Sequence, residues 1–216
     1  MVNAGSLRLT FGEPNAEKKG MTVVQSSASS RGAAAALFPY THNYWCEIDS
    51  KTLSSRYFHA IEVDSEESVE TSNRYSPTEV VVSEVSTTLS DRRKCTESFA
   101  FSHGPARDML SAILYIRSQT LAPGEEHTLL LLPFKSPYLL KVRVEAKEKH
   151  MGRDALRMSF AMTKIDRNTL TLKAYKKLKK PVTLWLSDDL DRVPLELRAS
   201  VFIGDVRAVL HNHTKK

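Results

Sequence analysis

Leu140-Lys141-Val142-Arg143-Val144-Glu145-Ala146-Lys147 alternates apolar and charged side chains without a break. An extended chain points successive side chains to opposite sides, so Leu140, Val142, Val144 and Ala146 share one face. Lys141, Arg143, Glu145 and Lys147 share the other. The stretch from Tyr138 to Lys147 is predicted to be a strand with one wet face, the habit of antiparallel sheets. The same period recurs in Leu156, Met158, Phe160 and Met162, and again in Leu195, Leu197, Ala199, Val201 and Ile203. Further strands are predicted at residues 7–11, 22–28, 40–48, 56–63, 68–75 and 79–89. The intervals hold turn chemistry such as Asp49-Ser50-Lys51, Ser76-Pro77 and Pro123-Gly124.

One segment departs from the period of two. Over residues 105–118, Met109, Leu110, Ala112, Ile113, Leu114 and Ile116 form a broad apolar stripe. Arg107, Ser111, Tyr115 and Ser118 recur at helical spacing on the opposite face. Pro105 suits a first helical turn, and Asp108 complements the positive end of the helix dipole. Leu110 and Ile113 are expected in the core. The fold class is therefore mainly β: a large antiparallel curved sheet, or a split, partly open β-barrel, carrying one packed α-helix at about residues 105–118. At 216 residues such a chain is expected to form a single β-rich domain over residues 1–216.

Composition narrows the function classes. The longest apolar runs, residues 33–38 and 129–134, are far short of the roughly 20 residues that span a bilayer. No signal peptide precedes the first strand, which suggests either a cytoplasmic protein or an exported one whose signal has been removed, placed then in the periplasm, cell envelope or medium. Cys46 and Cys95 are the only cysteines. They exclude a disulfide-rich scaffold and a four-cysteine zinc site, and leave one bridge open to an exported protein.

The net charge of +6 is local. Residues 164–180 contain Lys164, Arg167, Lys173, Lys176, Lys177, Lys179 and Lys180 against a single acid, Asp166. The remainder of the chain holds 24 basic and 24 acidic side chains. A concentrated patch points to an anionic partner more directly than a uniformly high isoelectric point does. If the piece is helical, Lys173, Lys176, Lys177 and Lys180 share one face; if extended, lysines line both faces. Phosphates are held by such cations through counterion release, and Tyr175 among them offers a ring for stacking on an exposed base. The plainer alternative is a solvated lysine-rich loop that keeps an edge strand from pairing.

Catalytic signals are weaker. Asp188, Asp189 and Asp191 are paired carboxylates of the kind that divide acid and base roles in hydrolysis, yet they sit where a hairpin turn is expected, and aspartates favour turns. Cys46 lies near His42 and His59, and Ser102 precedes His103. Sequence proximity does not assemble a triad, and Cys46 alternates with Tyr44 and Ile48 like a small core residue. His211 and His213 would share a strand face and offer two metal nitrogens, without the third ligand that a catalytic zinc site needs. With eight glycines and no phosphate-loop or dinucleotide spacing, a nucleotide cofactor is not expected, and no other cofactor is implied.

Across the second half run Asp108-Met109-Leu110-Ser111-Ala112, Tyr115-Ile116-Arg117, Leu121-Ala122-Pro123-Gly124, Leu184-Trp185-Leu186-Ser187-Asp188-Asp189, Arg192-Val193-Pro194-Leu195 and Phe202-Ile203-Gly204. The first half adds Ala4-Gly5-Ser6-Leu7, Ile48-Asp49-Ser50-Lys51-Thr52-Leu53 and Tyr57-Phe58. In these runs the chain resembles the bacterial family called domain of unknown function 3108. The resemblance implies a β-rich envelope protein, usually exported, with no assigned catalytic residues. The lysine-rich run before Pro181 and the His211-Asn212-His213 tail depart from that pattern.

These readings favour a non-catalytic β-domain that binds nucleic acid, anionic lipid or acidic glycan through the lysine-rich segment. The alternatives are a carboxylate-dependent hydrolase acting on an exported polymer or glycoprotein, and a structural or carrier protein of the envelope.

Overall fold

A computed structural model describes residues 4–14, 18–175, 178, 180–201 and 204–215. Strands make up 59% of the chain, in two antiparallel sheets that do not close into a barrel. The chain divides into two compact units, Met1–Tyr115 with Leu130–Pro137 and Ile116–Leu129 with Tyr138–Lys216.

The first unit contains a seven-stranded meander in strict sequence order: β1 (Gly5–Pro14), β2 (Met21–Ser30), β3 (Thr41–Asp49), β4 (Ser55–Val63), β5 (Glu67–Tyr75), β6 (Val80–Thr88) and β7 (Lys94–Phe101). A short helix, α1 (Gly32–Leu37), takes up the alanine run between β2 and β3. The inner face of the sheet carries Val24, Cys46, Ile48, Phe58, Val80 and Val82, all buried in one cluster with Leu110 and Leu132. Strand β7 escaped the sequence reading because only Phe99 and Phe101, at its end, carry the apolar period.

The helix α2 spans Met109–Ser118 and begins later than the expected Pro105. Its start is displaced because residues 105–107 are already committed elsewhere. The Arg107 amide donates to the Leu130 carbonyl, and the Leu132 amide donates to the Arg107 carbonyl. The helix begins where Asp108 Oδ1 accepts from the amides of Leu110 (2.7 Å) and Ser111 (2.9 Å), an N-cap. The expected polar face fails at Ser111, which is fully buried, because its hydroxyl has partners in Ser55 and the Asp108 carbonyl. Arg107 folds over the Tyr115 ring at 4.0 Å. Leu110 is in the core as expected, whereas Ile113 is only half-buried. Leu110→Ala is expected to cost about 2–5 kcal/mol in denaturant unfolding. A midpoint equal to wild type would show that the helix does not seal this core.

The second unit is built on β8 (Glu126–Leu131), β9 (Tyr138–His150), β10 (Arg153–Ile165), β11 (Leu172–Ala174), β12 (Val182–Ser187), β13 (Pro194–Val201) and β14 (Gly204–Val209). The strand order is β14-β13-β12-β10-β9-β8, with β11 also on β10. Leu140, Val142 and Val144 are buried as the alternation requires, with Leu156, Met158 and Leu186 beside them. Two irregularities were not legible. The register shifts opposite Arg157/Met158, where β9 carries an extra residue, and again in β13 between the partners of Trp185 and Leu186. An extra residue reverses which side later side chains face. In β9 it carries Glu148 and His150 to the side of Arg157. In β13 Leu195 and Glu196 are both buried, while Leu197, expected inside, is exposed.

Candidate functional site

Among its described residues the basic segment is neither one helix face nor a long strand. Its first part is a hairpin. Thr163–Ile165 at the end of β10 pairs with β11, Lys164 facing Lys173 and Ile165 facing Leu172. Asp166 closes the turn: its Oδ1 accepts from the amides of Asn168 (3.0 Å) and Thr169 (3.1 Å). Its Oδ2 meets Lys173 Nζ at 2.6 Å. The Lys173 ammonium, then these amides, hold the Asp166 carboxyl well below the usual carboxylate range. Two lysines face to face repel, and Asp166 offsets that repulsion.

Lys164, Arg167, Lys173 and Lys180 are all exposed. Lys164 and Lys180 have no ion-pair partner among the described residues. Tyr175 is half-buried and meets Tyr138 edge-on at 5.3 Å, so its ring is partly engaged. Lys176, Lys177 and Lys179 lie outside the described residues. β11 and β12 share one edge of β10, β12 pairing at Ala155–Phe160 and β11 further along.

Charge separates the two units. By sequence the second unit holds 19 Lys and Arg against 11 Asp and Glu, a net +8; the first holds 12 against 14, a net −2. Of the twelve cations of the second unit outside residues 164–180, seven are matched among the described residues: Arg143 with Glu126, Lys147 with Asp188, Lys149 with Asp154, Arg157 with Glu148, Lys215 with Asp191, and Arg198 and Arg207 with Glu196. The excess is thus concentrated at and after the hairpin.

The aspartate loop is differently employed. Asp188 pairs with Lys147 at 2.9 Å and Asp191 with Lys215 at 2.7 Å. Asp189 Oδ1 accepts from the Ser187 hydroxyl and from the amides of Asp191 and Arg192, closing the turn. Desolvation pushes the Asp189 carboxyl up, but these donors outweigh it and the net direction is down. A depressed carboxyl stays ionised and is a poor proton donor. The neighbouring Arg192 guanidinium donates to the Arg117 and Gln119 carbonyls at the end of α2.

His211 and His213 are exposed beyond β14. Among the described residues no group of three or more His, Cys, Asp and Glu side chains is placed to hold a metal ion. Cys46 is buried in β3 and Cys95 exposed in β7, both as free thiols. Three strands lie between theirs, at about 4.8 Å per strand, which is beyond bridging distance. Burial, and the nearby Asp108, push the Cys46 thiol far up. His42 stacks on Tyr44 at 4.0 Å and meets the Ser26 hydroxyl, whereas His59 lies on the opposite face against Glu70. Ser102 donates to Glu79, and His103 meets Phe101 edge-on.

Sequence reasoning missed the polar cluster around Glu196. This carboxylate is buried, with Oε2 at 2.7 Å from Arg207 Nη2 and 2.9 Å from His150 Nε2, and Oε1 bonded to Arg198 Nε and Arg207 Nε. Trp185 stacks on His150 at 4.4 Å, lies under the Arg198 guanidinium at 4.8 Å and donates its indole N–H to Glu148. Glu196 two positions before Arg198, in an otherwise apolar alternation, was the available signal. The two bulges that assemble the cluster leave none.

The family model described as "Protein of unknown function (DUF3108)" matches residues 1–211, nearly the whole chain. The chain belongs to the DUF3108 family. No curated protein matches it. Among solved structures it is similar to the crystal structure of a beta-barrel-like protein of domain of unknown function DUF1849 from Brucella abortus. The TM-score is 0.53 at 8% identity, over 96% of this chain and 95% of that one. At that identity the likeness concerns the fold of the DUF3108 chain alone. No helix among the described residues is long and apolar enough to cross a membrane.

Proposed function

We propose that this DUF3108 protein binds a polyanion through the second unit, with Lys164, Arg167, Lys173 and Lys180 of the hairpin region and Lys176, Lys177 and Lys179 as the contacting cations. The observation that supports this most directly is the charge division, +8 against −2, with the acids of the second unit largely engaged by cations outside the segment. A single-sign patch raises the local concentration of an oppositely charged chain and supplies affinity by releasing its counterions. Contacts of this kind read charge spacing rather than sequence.

Anisotropy titrations with labelled duplex DNA, heparin and anionic vesicles test the reading. If about four lysines meet duplex phosphates, the log-log slope of affinity against salt is expected near −3 to −4. The variant with Lys173, Lys176, Lys177 and Lys180 changed to Gln is expected to lose that slope and most of the affinity. Equal affinity of variant and wild type for all three probes, or no binding by wild type at low salt, would overturn it.

A further inference from the structure

The outer face of the first sheet, away from its core, carries a concavity of about 440 Å³. That lies within the range of small-molecule clefts, about 300–1,000 Å³. Strand register builds it. Thr10, Gln25, Trp45 and His59 are successive cross-strand partners through β1, β2, β3 and β4. Arg8, Ser27, Asn43 and Ile61 form the parallel row one pleat away. Four strands at about 4.8 Å spacing make a strip about 14 Å long.

Two features set this strip apart from an ordinary wet sheet face. First, the side chains of Arg8, Thr10, Gln25 and Asn43 have no hydrogen-bond partner among the described residues, and neither has the Trp45 indole N–H. The chain's other tryptophan is the contrast, since Trp185 Nε1 donates to Glu148. Second, the ring that stands among these groups is held in place. Tyr57 packs against Trp45 with centroids 5.4 Å apart at 68°, and itself lies at 5.9 Å from the Arg74 guanidinium and nearly parallel to His59. His59 is anchored by Glu70 at 2.9 Å.

An aromatic face is electron-rich and attracts weakly positive C–H groups. Planar amides and a guanidinium around it donate and accept in fixed directions. The ligand that uses both at once presents an apolar C–H face and a hydroxyl rim, which is a pyranose ring. An apolar ligand would strand the amides and the guanidinium, at a cost for each buried polar group left unpaired. A free anion would meet Arg8 alone, since no lysine or second arginine lines the concavity.

We propose that the outer face of β1–β4 is a saccharide-binding strip, with Trp45 as the stacking platform and Gln25, Asn43, Thr10 and Arg8 as the hydroxyl-reading groups. It is separate from the polyanion surface of the second unit and does not depend on it.

The test is a titration of the ¹⁵N-labelled protein with xylohexaose, cellohexaose, chitohexaose and trigalacturonate up to millimolar concentration, read at the two tryptophan indole N–H resonances. Trp45 is expected to move with at least one of them while Trp185 stays. Trp45→Ala should weaken that binding at least tenfold. Because Trp45 also packs on Tyr57, the double variant Gln25→Ala, Asn43→Ala serves as the second arm. Both residues are exposed and make no side-chain bonds among the described residues, so it should melt like wild type and still lose at least tenfold in affinity. A fourfold lysine-to-glutamine variant should bind the saccharide unchanged. Absence of any Trp45 movement across the panel, or undiminished binding in the double variant, would overturn the proposal.

Discussion

Asp108→Ala is expected to lower the unfolding free energy by about 1.5–5 kcal/mol. Its carboxylate is fully buried and accepts three hydrogen bonds, while its backbone amide donates a fourth. Its Oδ1 accepts two amides of the first turn of α2, Oδ2 accepts the Ser55 hydroxyl at 2.6 Å, and the Asp108 amide donates to Ser55 Oγ at 2.8 Å. Loss of an N-cap alone costs about 0.5–2 kcal/mol. Stranding a further buried donor, the Ser55 hydroxyl, adds about 1–3 kcal/mol. Urea unfolding of wild type and variant checks the sum, and a difference within experimental error would show that water replaces the carboxylate.

The same residue makes a pH prediction of definite sign. Desolvation raises the Asp108 carboxyl above its ordinary value, against the pull of Ser55, Ser111 and the Leu110 amide. Cys46, Tyr75 and Arg107 are the other titratable groups that feel it. A raised carboxyl holds its proton more tightly folded than unfolded. Its contribution is therefore complete below the unfolded value of about 3.9 and is lost as pH rises through the folded one. Asp108→Asn keeps the cap acceptor and cannot ionise. The stability of Asp108→Asn relative to wild type should rise with pH above that value, and a pH-independent difference would contradict the assignment.

How far the sequence reaches is plain from particular residues. Alternation in β9 placed Leu140, Val142 and Val144 in the core because an antiparallel face shows its period directly. Asp108 was read as a charge near a helix start, and it is the cap itself. What failed was whatever depends on a partner distant in the chain. Ser111 reads as a polar-face residue until Ser55, from strand β4, is found beside it. The hairpin inside the basic segment had a local signal in Asp166-Arg167-Asn168-Thr169, a turn-forming run, that the lysine count overshadowed. The saccharide strip is invisible in sequence, since Thr10, Gln25, Trp45 and His59 become neighbours only through the register of four strands. Glu196 stayed hidden because a bulge reverses the face of a strand and carries no compositional mark.

Replacing Glu196 by Gln is expected to cost about 3 kcal/mol, the lower end for breaking a buried ion pair. The lower end applies because Arg198 and Arg207 reach water, with 52% and 35% of their side-chain surface exposed, so neither is left as a fully buried charge. The effect should depend on pH. Arg207 above all, then Arg198 and His150, outweigh desolvation and hold the Glu196 carboxyl down at about 2, against 4.5 for an ordinary glutamate. A depressed carboxyl contributes stability that is present above the unfolded value and is lost as pH falls through the folded one. Wild-type stability should therefore fall between about pH 4.5 and about pH 2 by more than that of Glu196→Gln, so that the two curves converge in acid. Trp185 supplies a local reading, because its ring lies between His150 and the Arg198 guanidinium that Glu196 anchors. In a Trp45→Phe background its emission should shift on Glu196→Gln before global unfolding. Parallel stability curves with unaltered Trp185 emission would mean that Arg198, Arg207 and His150 hold the strands together without their carboxylate.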